Sequence, residues 1–144
     1  MNYKELLETE RNCPFCEFGN HNVIKKIREA VLTYALAPYC KHHLLVTTGR
    51  HIESFEDLTS DEKKDIDDIL LEGVKFLKAL GHESYSILLR NGKKAGKTIE
   101  HLHYHIIPST EVGSLSNNNI DRELMTEEEI DKLLEDFKNL GLDN

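Results

Sequence analysis

The stretch Thr98-Ile99-Glu100-His101-Leu102-His103-Tyr104-His105-Ile106-Ile107-Pro108 constrains this chain more than any other. Three histidines occupy alternate positions, with large apolar residues between and after them. Strict alternation predicts a strand over residues 101–107. Side chains on a strand alternate faces, so His101, His103 and His105 should point one way and Leu102, Tyr104 and Ile106 the other. Three imidazoles on one face sacrifice apolar burial and invite mutual repulsion, which makes a purely structural role a poor explanation. Imidazole is the usual side chain for acid–base, nucleophilic and metal chemistry near neutral pH.

The segments around this strand predict an α+β domain with a mainly antiparallel sheet, one long helix and a C-terminal helix. Residues 23–27, 30–36, 44–48 and 85–89 have strand character, and residues 85–89 and 101–107 read as a hairpin. Thr59 and Glu62 form a capping-box pattern at the start of the long helix. Ile66, Ile69, Leu70, Val74, Leu77 and Leu80 then recur at helical spacing, and Gly81 supplies the stop. Thr126 and Glu129 repeat the capping pattern before a helix over residues 126–140, ended by Gly141. A short helix is also expected over residues 3–11. At 144 residues the chain is expected to be a single domain over 1–144, with its core at about 13–108 and residues 109–144 as a C-terminal extension.

Charge and apolar runs narrow the function classes. The formal net charge is −8, which argues against a general nucleic-acid binder, since such a protein needs a basic face. A small phosphate ligand stays compatible with that charge, because a local basic loop can override the global sign. No apolar run approaches the roughly 20 residues needed to cross a bilayer. The first residues carry no basic segment followed by an apolar one, so the expected location is the cytoplasm. Cysteines there are more often ligands or free thiols than disulfides. Cys13-Pro14-Phe15-Cys16 has the Cys-x-x-Cys spacing that is a common half of a tetrahedral zinc site; alone it is only half, and a free thiol pair is the other reading. Cys40 stands apart.

A loop lies between the two hairpin strands. Arg90-Asn91-Gly92-Lys93-Lys94-Ala95-Gly96-Lys97 contains two glycines and three lysines. Its backbone N–H groups and lysine charges suit a phosphate, and the hairpin would deliver that phosphate to the start of the histidine strand. An imidazole there can attack phosphorus, with its neighbours fixing its tautomer or neutralising charge. A plain turn with solvated lysines is the other reading of the loop taken alone.

These residues together resemble the histidine triad (HIT) family of nucleotide hydrolases and transferases. His101-Leu102-His103-Tyr104-His105-Ile106-Ile107 matches the family's alternating signature. Residues 91–98, His43-Leu44-Leu45-Val46 and Arg50-His51 are similar to its upstream loop and strand motifs. The likeness covers residues 13–108 and implies an α+β fold, usually in a homodimer, with a small nucleotide as substrate. It further implies a hydrolase that attacks an α-phosphate and forms a nucleotidyl-histidine intermediate. The product is a nucleoside monophosphate, and the substrate is a nucleoside phosphoramidate or dinucleoside polyphosphate. His103 would be the nucleophile. His105 would contact the phosphate or leaving group, and histidine rather than glutamine there favours hydrolysis over transfer. Asn91, Lys97 and Thr98 would contact phosphate, with His43 near the same pocket. By resemblance to zinc-binding bacterial members, Cys13, Cys16, His51 and His101 would hold one structural Zn2+ per chain. The alternative is a nucleotide-binding or partner-binding HIT protein with little turnover. Two departures motivate it: Lys97 replaces the usual glutamine, and residues 34–37 lack the acid expected to bind ribose. A further departure, His42 in place of the usual glycine, suggests an altered backbone path.

Overall fold

A computed structural model describes residues 13, 15, 16, 22–92, 95, 99–110 and 123–141. The expected helix over residues 3–11 lies outside them. Five strands, β1 (Lys25–Ile27), β2 (Ala30–Tyr34), β3 (Leu44–Thr47), β4 (Tyr85–Leu89) and β5 (His103–Pro108), form one sheet in the order β1-β2-β3-β5-β4. Every neighbouring pair is antiparallel. Helix α1 (Ser60–Ala79) connects β3 to β4, and α2 (Glu127–Asn139) follows β5. The fold is therefore α+β, with the antiparallel sheet and two helices that the pattern predicts.

Both helices begin where the capping boxes place them. Thr59 accepts from Glu62 N–H while Glu62 accepts from Thr59 N–H, and Thr126 and Glu129 repeat the exchange. Each box satisfies two of the backbone donors that a helix start leaves orphaned. Arg50 adds a two-pronged contact to the Glu62 carboxylate, at 2.8 and 3.1 Å. These bonds pull the Glu62 pKa down to about 2, Arg50 contributing most. They also tie the segment after β3, which leads to His51, to the first turn of α1.

The core fills one face of the sheet. Leu32, Tyr34, Leu44, Val46, Tyr104 and Ile106 meet Ile66, Ile69, Val74, Phe76 and Leu77 of α1 and Ile130, Leu133 and Phe137 of α2 in one buried cluster. Gly73 allows the close approach of α1, because a Cβ there would lie 2.6 Å from Ile106 Cδ1. The opposite face carries Thr33, Leu45, Thr47, His103 and His105 in cross-strand register. Alternation along β5 thus sends Tyr104 and Ile106 to the helices and His103, His105 and Ile107 to the other side.

The histidine strand begins later than the alternation implies. β5 starts at His103, so His101 lies before it. The cause is local. Leu102 N–H donates to Ile52 O at 2.7 Å, and Thr47 Oγ1 donates to Leu102 O at 2.8 Å. These bonds commit the backbone at 102 to the chain leaving β3 rather than to the sheet ladder. His101 consequently serves a different neighbourhood from His103 and His105.

At the other end of β3, His42 adopts φ 67, the left-handed conformation that glycine favours. The chain keeps a glycine-type turn there and bears the strain of a side chain in it. Its imidazole is anchored: His42 Nδ1 lies 2.8 Å from His82 Nε2, and His82 Nδ1 lies 2.8 Å from Ser109 Oγ. Burial first, then the neighbouring His82 and Lys41, push the His42 pKa below its usual 6.5, with Asp136 opposing. A base whose folded pKa is lowered resists protonation in the native state. Its stabilising contribution is complete above about 6.5 and is lost as the pH falls from there through the lowered folded value. His42→Asn removes the titration and keeps a residue that tolerates the left-handed region. We expect the melting temperature of that variant to fall less between pH 7 and pH 5 than that of the parent. Equal slopes would exclude His42 as a source of the pH dependence.

Candidate active site and metal centre

Two side-chain clusters meet at the start of β5. The first joins the Cys13–Cys16 knuckle to two histidines. Cys13 Sγ lies 3.3 Å from His101 Nδ1, Cys16 Sγ lies 3.1 Å from His51 Nδ1 and 3.5 Å from His101 Nδ1, and the two Nδ1 atoms are 3.2 Å apart. All four donor atoms fall within 4.8 Å of one another. Tetrahedral zinc, with bonds of about 2.0–2.3 Å to nitrogen and sulfur, requires ligand-to-ligand edges of about 3.3–3.8 Å. The donor set fits such an ion, and the four separations of 3.1–3.5 Å lie close to those edges.

The tautomer of His101 fits as well. Its Nε2 lies 2.9 Å from the Thr48 carbonyl oxygen, which can only accept, so Nε2 carries the hydrogen. Nδ1 is left with its lone pair facing the sulfurs. Fixing a ligand imidazole through its far nitrogen is a recurrent feature of metal centres. His101 is completely buried, whereas His51 and Cys16 are exposed. The outer half of the cluster therefore faces solvent and the inner half is part of the fold.

The second cluster lies on the sheet face opposite the helices. His103 Nδ1 is 2.7 Å from the carbonyl oxygen of His101. The carbonyl again dictates the tautomer: Nδ1 carries the hydrogen and Nε2 keeps the lone pair. A chain of bonds fixes His105 in the same way. Tyr39 backbone N–H donates to His43 Nδ1 at 3.2 Å, so neutral His43 carries its hydrogen on Nε2. That atom is 2.9 Å from His105 Nδ1, which accepts and leaves the His105 hydrogen on Nε2. The His103 and His105 rings are 5.1 Å apart. One imidazole is thus prepared to give an electron pair and its neighbour to give a hydrogen bond.

Two aromatic side chains bound this pair. Phe15, buried between the two cysteines in sequence, places its ring 5.0 Å from that of His103 and 5.8 Å from that of His101. It forms a small apolar cluster with Ala35 and Leu45. Tyr39 stacks on His43, with centroids 5.4 Å apart and planes at 25°. Sequence reasoning singled out neither aromatic. Phe15 carried one usable signal, its place inside the knuckle, while Tyr39 carried none beyond its four-residue separation from His43.

The structure brings Cys13, Cys16, His51 and His101 into one group and His43, His103 and His105 into another. Asn91 is exposed, and its side-chain oxygen accepts from Phe55 N–H at 3.4 Å. Lys97 and Thr98 lie outside the described residues. Residues 34–37, where the likeness led to the expectation of an acid, are occupied by side chains with other tasks: Tyr34 OH donates to Asn22 Oδ1, and Ala35 is buried against Phe15. No described helix is long and apolar enough to cross a membrane.

An antiparallel sheet that presents paired, tautomer-fixed imidazoles on the face opposite its described helices defines a recognisable class of protein. A model of the HIT domain matches residues 19–112. The chain belongs to the HIT family. An uncharacterised HIT-like protein of Methanocaldococcus jannaschii is 35% identical over 103 residues, covering 69% of this chain and 80% of that protein. The adenosine 5′-monophosphoramidase of Schizosaccharomyces pombe is 33% identical over 101 residues, covering 67% and 74%. Among solved structures, a Zn-bound histidine triad family protein from Mycobacterium smegmatis superposes with a TM-score of 0.63 at 17% identity, covering 95% of this chain and 92% of that one.

Proposed function

We propose that this chain hydrolyses nucleotide conjugates at the α-phosphate through a nucleotidyl-histidine intermediate on His103. The observation that carries the reading is the 2.7 Å bond from His103 Nδ1–H to the His101 carbonyl, which leaves Nε2 as the nucleophilic atom. His105 Nε2–H then stands beside it to bond a phosphoryl oxygen or the leaving group, with His43 holding its tautomer. Asn91, Lys97 and Thr98 are the remaining phosphate contacts in this reading. Water completes the cycle by releasing a nucleoside monophosphate. The named activity of the fission-yeast relative, a phosphoramidase, supports this reaction class. Mass spectrometry of protein quenched during turnover tests it: a nucleotidyl adduct on His103 is expected, and an adduct on another residue overturns the assignment.

A second reading, nucleotide binding with little turnover, is favoured by residues 34–37, where the family likeness led to an acid and the chain has Tyr34 bonded to Asn22 and Ala35 buried against Phe15. Binding of AMP with no adduct and no hydrolysis across a panel of conjugates would establish it instead.

The reading includes one structural zinc ion per chain, held by Cys13, Cys16, His51 and His101. Support comes from the donor set, its spacing and the His101 tautomer. When bound, the ion supplies a crosslink. Phe15, inside the knuckle, then stays seated against His103.

We also read the protein as a homodimer. β4 is an edge strand with one neighbour among the described residues, and its outward Tyr85 and Ile87 are 42% and 47% exposed. An exposed apolar edge strand is a site for pairing with a second copy. Equilibrium sedimentation should return twice the chain mass of 16.6 kDa. A monomer at micromolar concentration would rule the dimer out.

A further inference from the structure

We propose that Arg90, held by Tyr39, forms a leaving-group subsite that selects substrates departing as phosphate anions, such as dinucleoside polyphosphates, over those departing as amines. The proposal rests on the nucleotidyl-transfer reading above and adds a substrate class to it.

Leu88 pairs with His105 and Leu89 with Tyr104, so continuing the alternation puts Arg90 on the same sheet face as His105 and next to the position of His103. The Arg90 side chain is half-buried rather than extended into solvent. Its Nη1 donates to Tyr39 OH at 3.3 Å, and its guanidinium carbon lies 5.7 Å from the centre of the Tyr39 ring. Tyr39 in turn stacks on His43 and stands 6.5 Å from His105, ring to ring. Phe15 and Arg90–Tyr39 therefore border the histidine pair at its two ends: Phe15 contacts the His103 ring, and Tyr39 contacts His43 and approaches His105.

This asymmetry has a chemical meaning. Phe15 offers an uncharged surface. Arg90 offers a permanent cation, in a chain whose net charge is −8. During attack, the lone pair of His103 Nε2 forms the bond to the α-phosphorus. The bond from phosphorus to the bridging oxygen breaks, and that oxygen keeps the pair on the departing polyphosphate. Negative charge develops at the bridging oxygen and is already present on the phosphates beyond it. A fixed guanidinium on that side is worth more in the transition state than before it. Water then adds to phosphorus, the P–N bond returns its pair to His103 Nε2, and the protons of the water pass to solvent. An amine leaving group takes up a proton and departs without new negative charge, so the same cation contributes little to its departure.

The test uses the zinc-loaded, full-length chain. kcat/KM is measured for diadenosine triphosphate and for adenosine 5′-phosphoramidate with the parent, Arg90→Ala, Arg90→Lys and Tyr39→Phe. The ratio of the two values should fall about tenfold to a hundredfold in Arg90→Ala, the range for losing a charged hydrogen bond. Arg90→Lys should recover part of the loss, and Tyr39→Phe should lower the ratio less than Arg90→Ala. An unchanged ratio, whether both substrates suffer equally or neither does, overturns the proposal and leaves Arg90 as a packing partner of Tyr39. A parent that cleaves only the phosphoramidate also overturns it, with the His103 assignment intact. If the parent forms no adduct with either substrate, the reaction reading has failed, and binding decides this proposal separately. In the His103→Ala background, adding Arg90→Ala should weaken diadenosine triphosphate at least tenfold more than it weakens AMP; equal weakening refutes the subsite.

Discussion

His103→Ala is expected to lower turnover of any cleaved nucleotide conjugate by about a thousandfold or more, with no adduct trapped on quenching. The size follows from the role. The substitution removes the imidazole whose Nδ1 hydrogen is committed to the His101 carbonyl at 2.7 Å and whose lone pair is thereby left on Nε2. His105 cannot replace it, because its Nδ1 accepts from His43 and its hydrogen sits on Nε2. The fold should survive, since His103 lies on the face away from the helices and none of the four clustered donor atoms belongs to it. Unchanged melting, unchanged metal content and intact AMP binding are therefore the accompanying controls. Turnover within tenfold of the parent would show that the nucleophile lies elsewhere.

Cys13→Ser is expected to give the other large effect, on stability rather than on bond making. Serine is a poor zinc ligand beside a thiolate, and structural zinc sites contribute folding free energy outright. Loss of about 3 kcal/mol in a chain of this size lowers the melting temperature by roughly 10 °C. Metal analysis should return one zinc per parent chain and far less for Cys13→Ser. Chelation of the parent should reproduce the variant's melting curve. The two predictions cross-check each other. Metal retained in Cys13→Ser, or lost in His103→Ala, would break the division between a structural cluster and a reacting pair.

The divergence between the sequence pattern and the fold is concentrated at His101. Alternation makes residues 101, 103 and 105 equivalent, because a period of two contains no information about where a strand starts. The start is decided by partners about fifty residues away, Thr48 and Ile52, which take the His101 ring and the Leu102 N–H. Local chemistry was legible where its partners are local. Both capping boxes lie within four residues, and both helices begin there. The four residues that form the thiol–imidazole cluster could be named from the family likeness but not from spacing, since Cys13 and Cys16 reach His101 across 85 or more positions. Tyr39 and Arg90 illustrate the remainder. Arg90 opens the glycine- and lysine-containing loop but was given no role there, Tyr39 belongs to no motif, and their meeting depends on β4 crossing to the edge beyond β5.

The thiol–imidazole cluster also bears on the order of folding. The Cys16–His51 contact closes 35 positions and the Cys13–His101 contact closes 88. The inner ligand is set by Thr48, and Leu102 beside it by Ile52, both on the segment that leaves β3. A complete coordination shell therefore requires β3 and β5 to be paired already, and an unfolded chain offers at most the two neighbouring cysteines. On the proposed zinc reading, tight retention of the ion would mark a chain whose histidine face has been assembled, and metal content in a preparation would count correctly folded sites and not merely protein.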